Sequence, residues 1–331
     1  MPEIRKDPVF GRWVIIASER GLRPNEFRPG AGPDGKSYVC PFCPGNEDLT
    51  PPTIYSLPDA RGSWRLRVVR NKYPALTAES AAGNRRDGIY DSMDGMGFHE
   101  VVIETPGHDR VLEDMPAESV ADVVRTFVLR MREIKKDPRI KYVMIFKNHG
   151  RNAGASLLHP HSQIIAMPMA PLRVLQEIEG AAEYHLERGT CVFCDIVKEE
   201  QAFKRRIVAE NGDFLAVTPY ASRFSFETWI LPKAHNSHFE DMPGAAAQPL
   251  AEIIKTVLSK LSASLPDLSY NLIVHTMPPQ DPAAGHYHWH IEIMPKLTHV
   301  AGFEWGTGFY INTVSPEDAA DMLNSGKRYK V

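Results

Sequence analysis

Residues 140–168 read IKYVMIFKNHGRNAGASLLHPHSQIIAMP, in which two apolar runs flank a connection of small residues at 148–156. Both runs have the composition and length of β-strands. Glycine in the connection allows backbone amides to approach a phosphate group closely. Because alternate side chains of a strand share one face, His159, His161 and Gln163 are expected to project together.

The landmarks around this stretch recur later in the chain in the same order. An apolar run at 268–274 leads to a second histidine-rich strand at 286–295. Before each copy, a strand-like run ends at a histidine, the motif EDMP follows, and a helical pattern begins. The matched segments are strands at 101–107 and 228–234, EDMP at 113–116 and 240–243, and helices at 118–136 and 245–264. We therefore predict an α+β fold of two repeats, each an antiparallel sheet with packed helices.

A further helical pattern lies between the two repeats. It occupies residues 170–190 and ends at a glycine, which is a common helix stop. We place the division between the repeats within this segment. The predicted domains are an N-terminal, catalytic domain of residues 1–178 and a C-terminal domain of residues 179–331.

The bulk composition limits the classes of function. The chain has 331 residues and a formal charge of -3 at pH 7, which gives no global attraction to nucleic acid or to anionic membranes. No apolar run approaches the roughly 20 residues that cross a bilayer, and the N-terminus is charged from its third residue. We expect a cytoplasmic protein without nucleic-acid or membrane partners.

The four cysteines form two pairs of identical spacing, Cys40–Cys43 and Cys191–Cys194. Such pairs argue against a secreted disulfide framework, but they fit either a redox motif or a metal site. Thirteen histidines accompany the pairs, and two thiolates with two imidazoles complete a tetrahedral zinc site.

The two histidines of the first repeat receive distinct roles. His159 is expected to complete a structural zinc site with Cys40, Cys43 and His108, which would fix the strand that carries its neighbour. His161, free of metal, keeps one ring nitrogen available. A neutral imidazole can attack phosphorus when its other nitrogen donates a hydrogen bond to a carbonyl. The predicted intermediate is a nucleotidyl-histidine.

The motif His159-Pro160-His161-Ser162-Gln163 resembles the transferase branch of the histidine-triad superfamily, the galactose-1-phosphate uridylyltransferases. Triad hydrolases carry a third histidine where this chain has Gln163. The resemblance covers most of the chain and implies that His161 is the nucleophile and that Gln163 assists it. It also implies substrate-binding roles for Arg20, Arg23, Asn71, Asn148, Gly154, Ser156, Gln163 and Glu304.

The resemblance implies a ping-pong reaction and a homodimer. UDP-glucose would give its uridylyl group to His161, and galactose 1-phosphate would then accept it. A second zinc site is expected at Cys191, Cys194, His235 and one histidine of the 286–290 segment. The repeat spacing favours His286, whereas similarity to a variant group of the family favours His288. We assign His288 to the site, with His286 and His290 as alternatives.

Three other functions remain possible at this stage. The stretch 302–312 resembles that same variant group, which includes ADP-glucose phosphorylases, so adenylyl transfer to phosphate is the main alternative. A zinc-stabilised nucleic-acid-binding module would need a basic stripe interleaved with aromatic residues, which the sequence lacks. A nucleotide sensor without turnover would form no covalent adduct.

Overall fold

A computed structural model describes residues 2–6, 13–16, 39–80, 83–279 and 284–329. The predicted helices and strands are present, with ends that shift by a few residues. The strands are β1 (Glu3–Lys6), β2 (Trp13–Ile16), β3 (Thr53–Pro58), β4 (Trp64–Arg70), β5 (Asn84–Asp87), β6 (Tyr90–Asp94), β7 (Phe98–Ile103), β8 (Tyr142–His149), β9 (His161–Met167), β10 (Ile207–Glu210), β11 (Phe214–Val217), β12 (Thr228–Pro232), β13 (Tyr270–His275) and β14 (His290–Pro295). The helices are α1 (Ala117–Ile134), α2 (Leu172–Arg188), α3 (Val192–Phe203), α4 (Ala247–Ser264), α5 (Gly302–Thr307) and α6 (Pro316–Ser325).

Ten of the strands form one antiparallel sheet in the order β10-β11-β12-β14-β13-β8-β9-β7-β4-β3. The two halves of this order match: β8-β9-β7-β4-β3 from the first repeat corresponds to β13-β14-β12-β11-β10 from the second. The predicted α+β fold of two repeats is therefore confirmed. The two five-stranded halves of this sheet join edge to edge where β8 pairs with β13, from Tyr270 opposite His149 to Val274 opposite Ile145. A smaller sheet has the order β2-β1-β6-β5.

Helices α1 and α4 pack together over one face of the large sheet. Their buried side chains recur every three or four residues, which is the apolar stripe of an amphipathic helix. Burying each large side chain stabilises the fold by about 1.5–3 kcal/mol. The buried residues include Val120, Val124, Phe127 and Met131 of α1 and Leu250, Ile254, Val257 and Leu261 of α4.

Strand β9 presents different side chains to the two faces of the sheet. Ile164 and Ala166 belong to the core beneath the helices, whereas His161 and Gln163 line a pocket on the opposite face. The strand begins at His161, so His159 lies just before it and not within it as expected. The predicted division at residues 178 and 179 falls inside α2 and stays a prediction. None of the helices in the described ranges is long and apolar enough to span a membrane.

Candidate active site

The structure brings Cys40, Cys43, His108 and His159 together, with their ligand atoms within 4.8 Å of one another. The Cys43 sulfur lies 3.3 Å from Nδ1 of His108 and 3.6 Å from Nδ1 of His159. Bonds of about 2.0–2.3 Å in a tetrahedral zinc site imply ligand separations of roughly 3.3–3.8 Å. The group therefore has the spacing as well as the donor set of a structural zinc site.

Hydrogen bonding and burial support a metal at this group. Nε2 of His159 is 2.8 Å from the Thr105 carbonyl, so it donates its proton there and leaves Nδ1 free as a ligand. Burial, with a further contribution from Cys43, raises the pKa of the Cys40 thiol to about 12. A bound cation would be needed to hold this sulfur as a thiolate.

The second repeat contains an equivalent group made of Cys191, Cys194, His235 and His288. Nδ1 of His235 and of His288 lie 3.3 Å and 3.6 Å from the Cys194 sulfur, the same separations as in the first group. The structure selects His288 for this group. The ring of His286 lies elsewhere, 6.4 Å from that of His185.

Beside the second group, His290 occupies the place that corresponds to His161, at the first residue of its strand. Its ring is stacked 4.6 Å from that of His275, and both histidines contact the carboxylate of Glu177. Burial opposes a proton on His275, but Glu177 and Glu292 outweigh burial and raise the pKa of His275 to about 10. The ring of His275 is thus an imidazolium held between the carboxylates of Glu177 and Glu292. Glu177, His275 and His290 also have the spacing of a metal-binding group.

His161 has the geometry expected of a nucleophile. Its Nδ1 is 2.8 Å from the carbonyl of His159 and donates to it. Burial lowers the pKa of His161 to about 4, so the ring is neutral near pH 7. The neutral tautomer leaves the Nε2 lone pair unprotonated, while the carbonyl would stabilise the positive charge that develops on attack.

His161 lines a pocket of about 260 Å³. Four of the other residues that the sequence assigned to substrate line it too: Asn71, Gly154, Ser156 and Gln163. Gly154 has φ +81°, a left-handed conformation that favours glycine, although there is open space where a Cβ would lie. The connection predicted to cradle phosphate therefore lies beside His161.

The other assigned residues lie away from this pocket or outside the described ranges. Asn148, on β8, accepts a hydrogen bond from Asn271 and is not part of the pocket wall. Glu304 lies in α5, where its carboxylate accepts a hydrogen bond from the backbone of Ala301 at the helix start. Arg20 and Arg23 fall outside the described residues.

Several pocket residues next to Asn71 were not predicted from the sequence. Arg70, Lys72 and Tyr73 all line the pocket, and the two cations suit an anionic ligand. The sequence VRNKYP, with charges on both sides of an asparagine, was the available signal. His99 was also missed, although its Nε2 is 3.0 Å from Oε1 of Gln163.

A buried ion pair lies behind His161, on the helix-covered face of the sheet. Nζ of Lys147 is 2.8 Å from Oε2 of Glu104 and 3.2 Å from the carbonyl of His161. Ser162 donates to the other carboxylate oxygen over 2.6 Å. The pair therefore holds the backbone of β9 at the residue that would carry out the chemistry.

Comparisons with known proteins identify the family of this chain. The family profile described as galactose-1-phosphate uridyl transferase, N-terminal domain, matches residues 1–171, and a domain of unknown function matches residues 114–327. ADP-glucose phosphorylase of Arabidopsis thaliana is 38% identical over 97% of this chain and 92% of its own length. Galactose-1-phosphate uridylyltransferase of Thermotoga maritima is 30% identical over 98% of both chains.

Solved structures give the same two relationships. The Arabidopsis thaliana ADP-glucose phosphorylase with bound ADP-glucose has a TM-score of 0.78 and 36% identity, covering 98% of this chain and 99% of its own. A uridylyltransferase structure has a TM-score of 0.81 and 29% identity, covering 98% of both chains.

Proposed function

This chain belongs to the galactose-1-phosphate uridylyltransferase family of nucleotidyltransferases, and we propose that it transfers a nucleoside monophosphate through a covalent intermediate on His161. The observation that carries this proposal is the neutral imidazole of His161, whose Nδ1 is bound to a carbonyl and whose ring lines the pocket. The arrangement supplies a nucleophile without a separate general base.

In the first half-reaction, Nε2 of His161 attacks the α-phosphorus of a nucleoside diphosphate sugar. The P–N bond forms, the bond from that phosphorus to the bridging oxygen breaks, and the sugar 1-phosphate leaves with the electron pair. In the second half-reaction, a phosphate oxygen of the acceptor attacks the same phosphorus and the P–N bond breaks. His161 returns to its neutral form, so the cycle needs no net proton transfer.

Gln163 would assist both half-reactions from the same wall of the pocket. Its amide donates hydrogen bonds to phosphoryl oxygens, where negative charge increases in the transition state. An uncharged amide is a poor proton acceptor from water, which favours transfer over hydrolysis.

For the substrates, we propose UDP-glucose as donor and galactose 1-phosphate as acceptor, the reaction that the family profile names in part. A second candidate is adenylyl transfer from ADP-glucose to phosphate. It is favoured by the higher identity to the plant phosphorylase, 38% against 30% for the Thermotoga maritima uridylyltransferase. Both candidates use the same chemistry at His161 and differ in base and acceptor.

We further propose zinc at the two Cys₂His₂ groups, in structural roles, because four protein ligands leave no open position for substrate. The four cysteines form no disulfide, which suits the cytoplasm. A homodimer is supported by apolar side chains exposed near α5, where contiguous apolar surface commonly marks an interface. They are Phe303, Trp305, Phe309 and Ile311.

The test is the mass of the intact protein after mixing with UDP-glucose or ADP-glucose at alkaline pH, where a phosphoramidate survives. We expect an adduct of one nucleotidyl group that disappears in His161→Ala. His290→Gln is the matched control, because it alters the equivalent histidine of the other repeat and should leave the adduct in place. The mass identifies uridylyl or adenylyl, and no adduct with either donor would refute the proposal.

A further inference from the structure

We infer that His99 is a positioning residue that fixes the side-chain amide of Gln163, so that its NH₂ group faces the phosphoryl group at His161. The inference rests on the proposed nucleotidyl transfer and adds a residue to it. His99 does not line the pocket of His161 and would act on the reaction only through Gln163.

The strand register places the two side chains side by side. His99 lies on β7 and Gln163 on β9, and Val101 is directly opposite Gln163 in this antiparallel pair. His99 is therefore the diagonal neighbour of Gln163 on the same face of the sheet. Both side chains are buried, with exposures of 4% and 9%, and Nε2 of His99 is 3.0 Å from Oε1 of Gln163.

A backbone donor determines the tautomer of His99. The N–H of Ala75 donates to Nδ1 of His99 over 3.0 Å. A backbone N–H can only donate, so Nδ1 carries no proton and the neutral ring carries it on Nε2. Nε2–H then needs an acceptor, and the oxygen of Gln163 meets this need.

Asn71 cannot replace Gln163 as that acceptor. Its Nδ2 is 3.1 Å from Nε2 of His99, but its Oδ1 accepts the backbone N–H of Tyr73 over 2.9 Å. This bond fixes the Asn71 amide with its nitrogen towards His99. Two donor groups cannot satisfy each other, which makes the oxygen of Gln163 the acceptor.

The consequence for Gln163 is a single amide orientation. With Oε1 held by His99, the NH₂ group is directed away from His99 and is available to the pocket that Gln163 shares with His161. A flipped amide would turn its oxygen lone pairs towards anionic phosphoryl oxygens and would repel them. Losing one such donor costs about 10²–10³ in rate. Losing only its orientation should cost less than this, about 10-fold when the flipped amide becomes the main state at roughly nine to one.

Two substitutions separate this role from simple support of the 71–75 loop. The Oδ1 atom of His99→Asn can take the place of Nδ1 and keep the bond from Ala75, but it puts no donor at Nε2. His99→Gln puts its own NH₂ group near the Nε2 position. The first variant should therefore lose the orientation of Gln163, and the second should restore it.

The experiment measures single-turnover formation of the nucleotidyl-enzyme with whichever donor labels the wild type. We expect His99→Asn to slow this step about 10-fold with little change in donor affinity, and His99→Gln to recover most of the rate. In a Gln163→Ala background, His99→Asn should have no further effect. Equal losses in both variants, or a loss that multiplies with Gln163→Ala, would overturn the inference.

A second measurement tests the inference without substrate. ¹⁵N NMR of protein labelled in its imidazole rings should show Nδ1 of His99 unprotonated and Nε2 protonated. The opposite tautomer would refute the orientation argument even if nucleotidyl transfer holds. If the wild type forms no adduct while His99 has the expected tautomer, the failure belongs to the proposed function.

Discussion

The buried ion pair behind His161 allows a sharp test of how the fold supports the site. The side chains of Lys147 and Glu104 are 3% and 0% exposed. Lys147→Met keeps the length of the side chain but leaves the Glu104 carboxylate buried without its cation. Removing one partner of a buried pair costs about 3–5 kcal/mol, because the remaining charge stays desolvated. We expect a loss of this size in the free energy of unfolding.

The matched control is Lys147→Met with Glu104→Met, which removes both charges. In both variants the carbonyl of His161 loses its bond from Lys147. The double variant also leaves the hydroxyl of Ser162 without its partner, at about 1–3 kcal/mol, but it has no unpaired carboxylate, so it should be more stable than the single one. Urea unfolding followed by tryptophan fluorescence measures both. A single variant that loses less than about 1 kcal/mol, or a double variant that loses more than the single, would refute the reasoning.

Three further predictions follow from individual residues. Cys40→Ser and Cys191→Ser should each lower the zinc content, measured by mass spectrometry, by one ion per chain. Only Cys40→Ser should slow adduct formation, and equal slowing in both variants would contradict separate roles for the two metal groups. Burial raises the pKa of Glu227 from 4.5 to about 7, so between these pH values the folded state holds a proton that the unfolded state has lost. The free energy of unfolding therefore falls as pH rises from 4.5 to about 7. Thermal melts of Glu227→Gln should therefore show a larger gain over wild type at pH 8 than at pH 5, and an equal effect would refute the assignment. Gly154→Ala should cost about 1–2 kcal/mol of unfolding free energy because of its left-handed φ, whereas Gly180→Ala, inside a helix, should stabilise by about 0.5–1 kcal/mol; equal effects would contradict the role of φ.

The repeat was predictable because its landmarks are local. The apolar periodicity of α1 and α4, the EDMP motifs and the runs before each histidine are all properties of short segments. Such patterns determine which face of an element is buried. Local patterns also sufficed to choose His108 for the first metal group, because it is the only histidine between the matched strand at 101–107 and the EDMP motif at 113–116.

The joining of the repeats and the choice of His288 were not local properties. The pairing of β8 with β13 depends on which edge of each strand is left without a neighbour in its own repeat. The apolar periodicity of a strand indicates its buried face and does not indicate this edge. For the second metal group, aligning the repeats by apolar runs favoured His286, which lies two residues before His288. The strand that starts at His290 shows that the pair His288 and His290 corresponds to His159 and His161.

The contact between His99 and Gln163 joins segments far apart in sequence, which explains why His99 was missed. His99 contacts Gln163 only because β7 and β9 are neighbours, and its proton is placed by the backbone of Ala75. No spacing along the chain encodes either contact. The described structure was needed to connect them.

Comparison of the two repeats indicates what distinguishes His161 from His290. His290 also begins its strand, and its Nδ1 also lies near a carbonyl two residues earlier, at 3.2 Å. The motif alone therefore builds this imidazole geometry twice. Around His290, however, the rings of Phe193, Trp229 and His275 approach to between 4.6 and 5.1 Å and leave the side chain 1% exposed.

His161 differs by having open space. Among the described residues, the aromatic ring of Phe42 approaches it to 5.3 Å, and the side chain lines the pocket of about 260 Å³. Since the two histidines share their strand position and hydrogen bond, the chemistry cannot follow from the H-x-H motif by itself. We therefore propose that the reactivity of His161 depends on the pocket beside its ring, where a phosphorus atom can approach, whereas aromatic side chains surround the ring of His290.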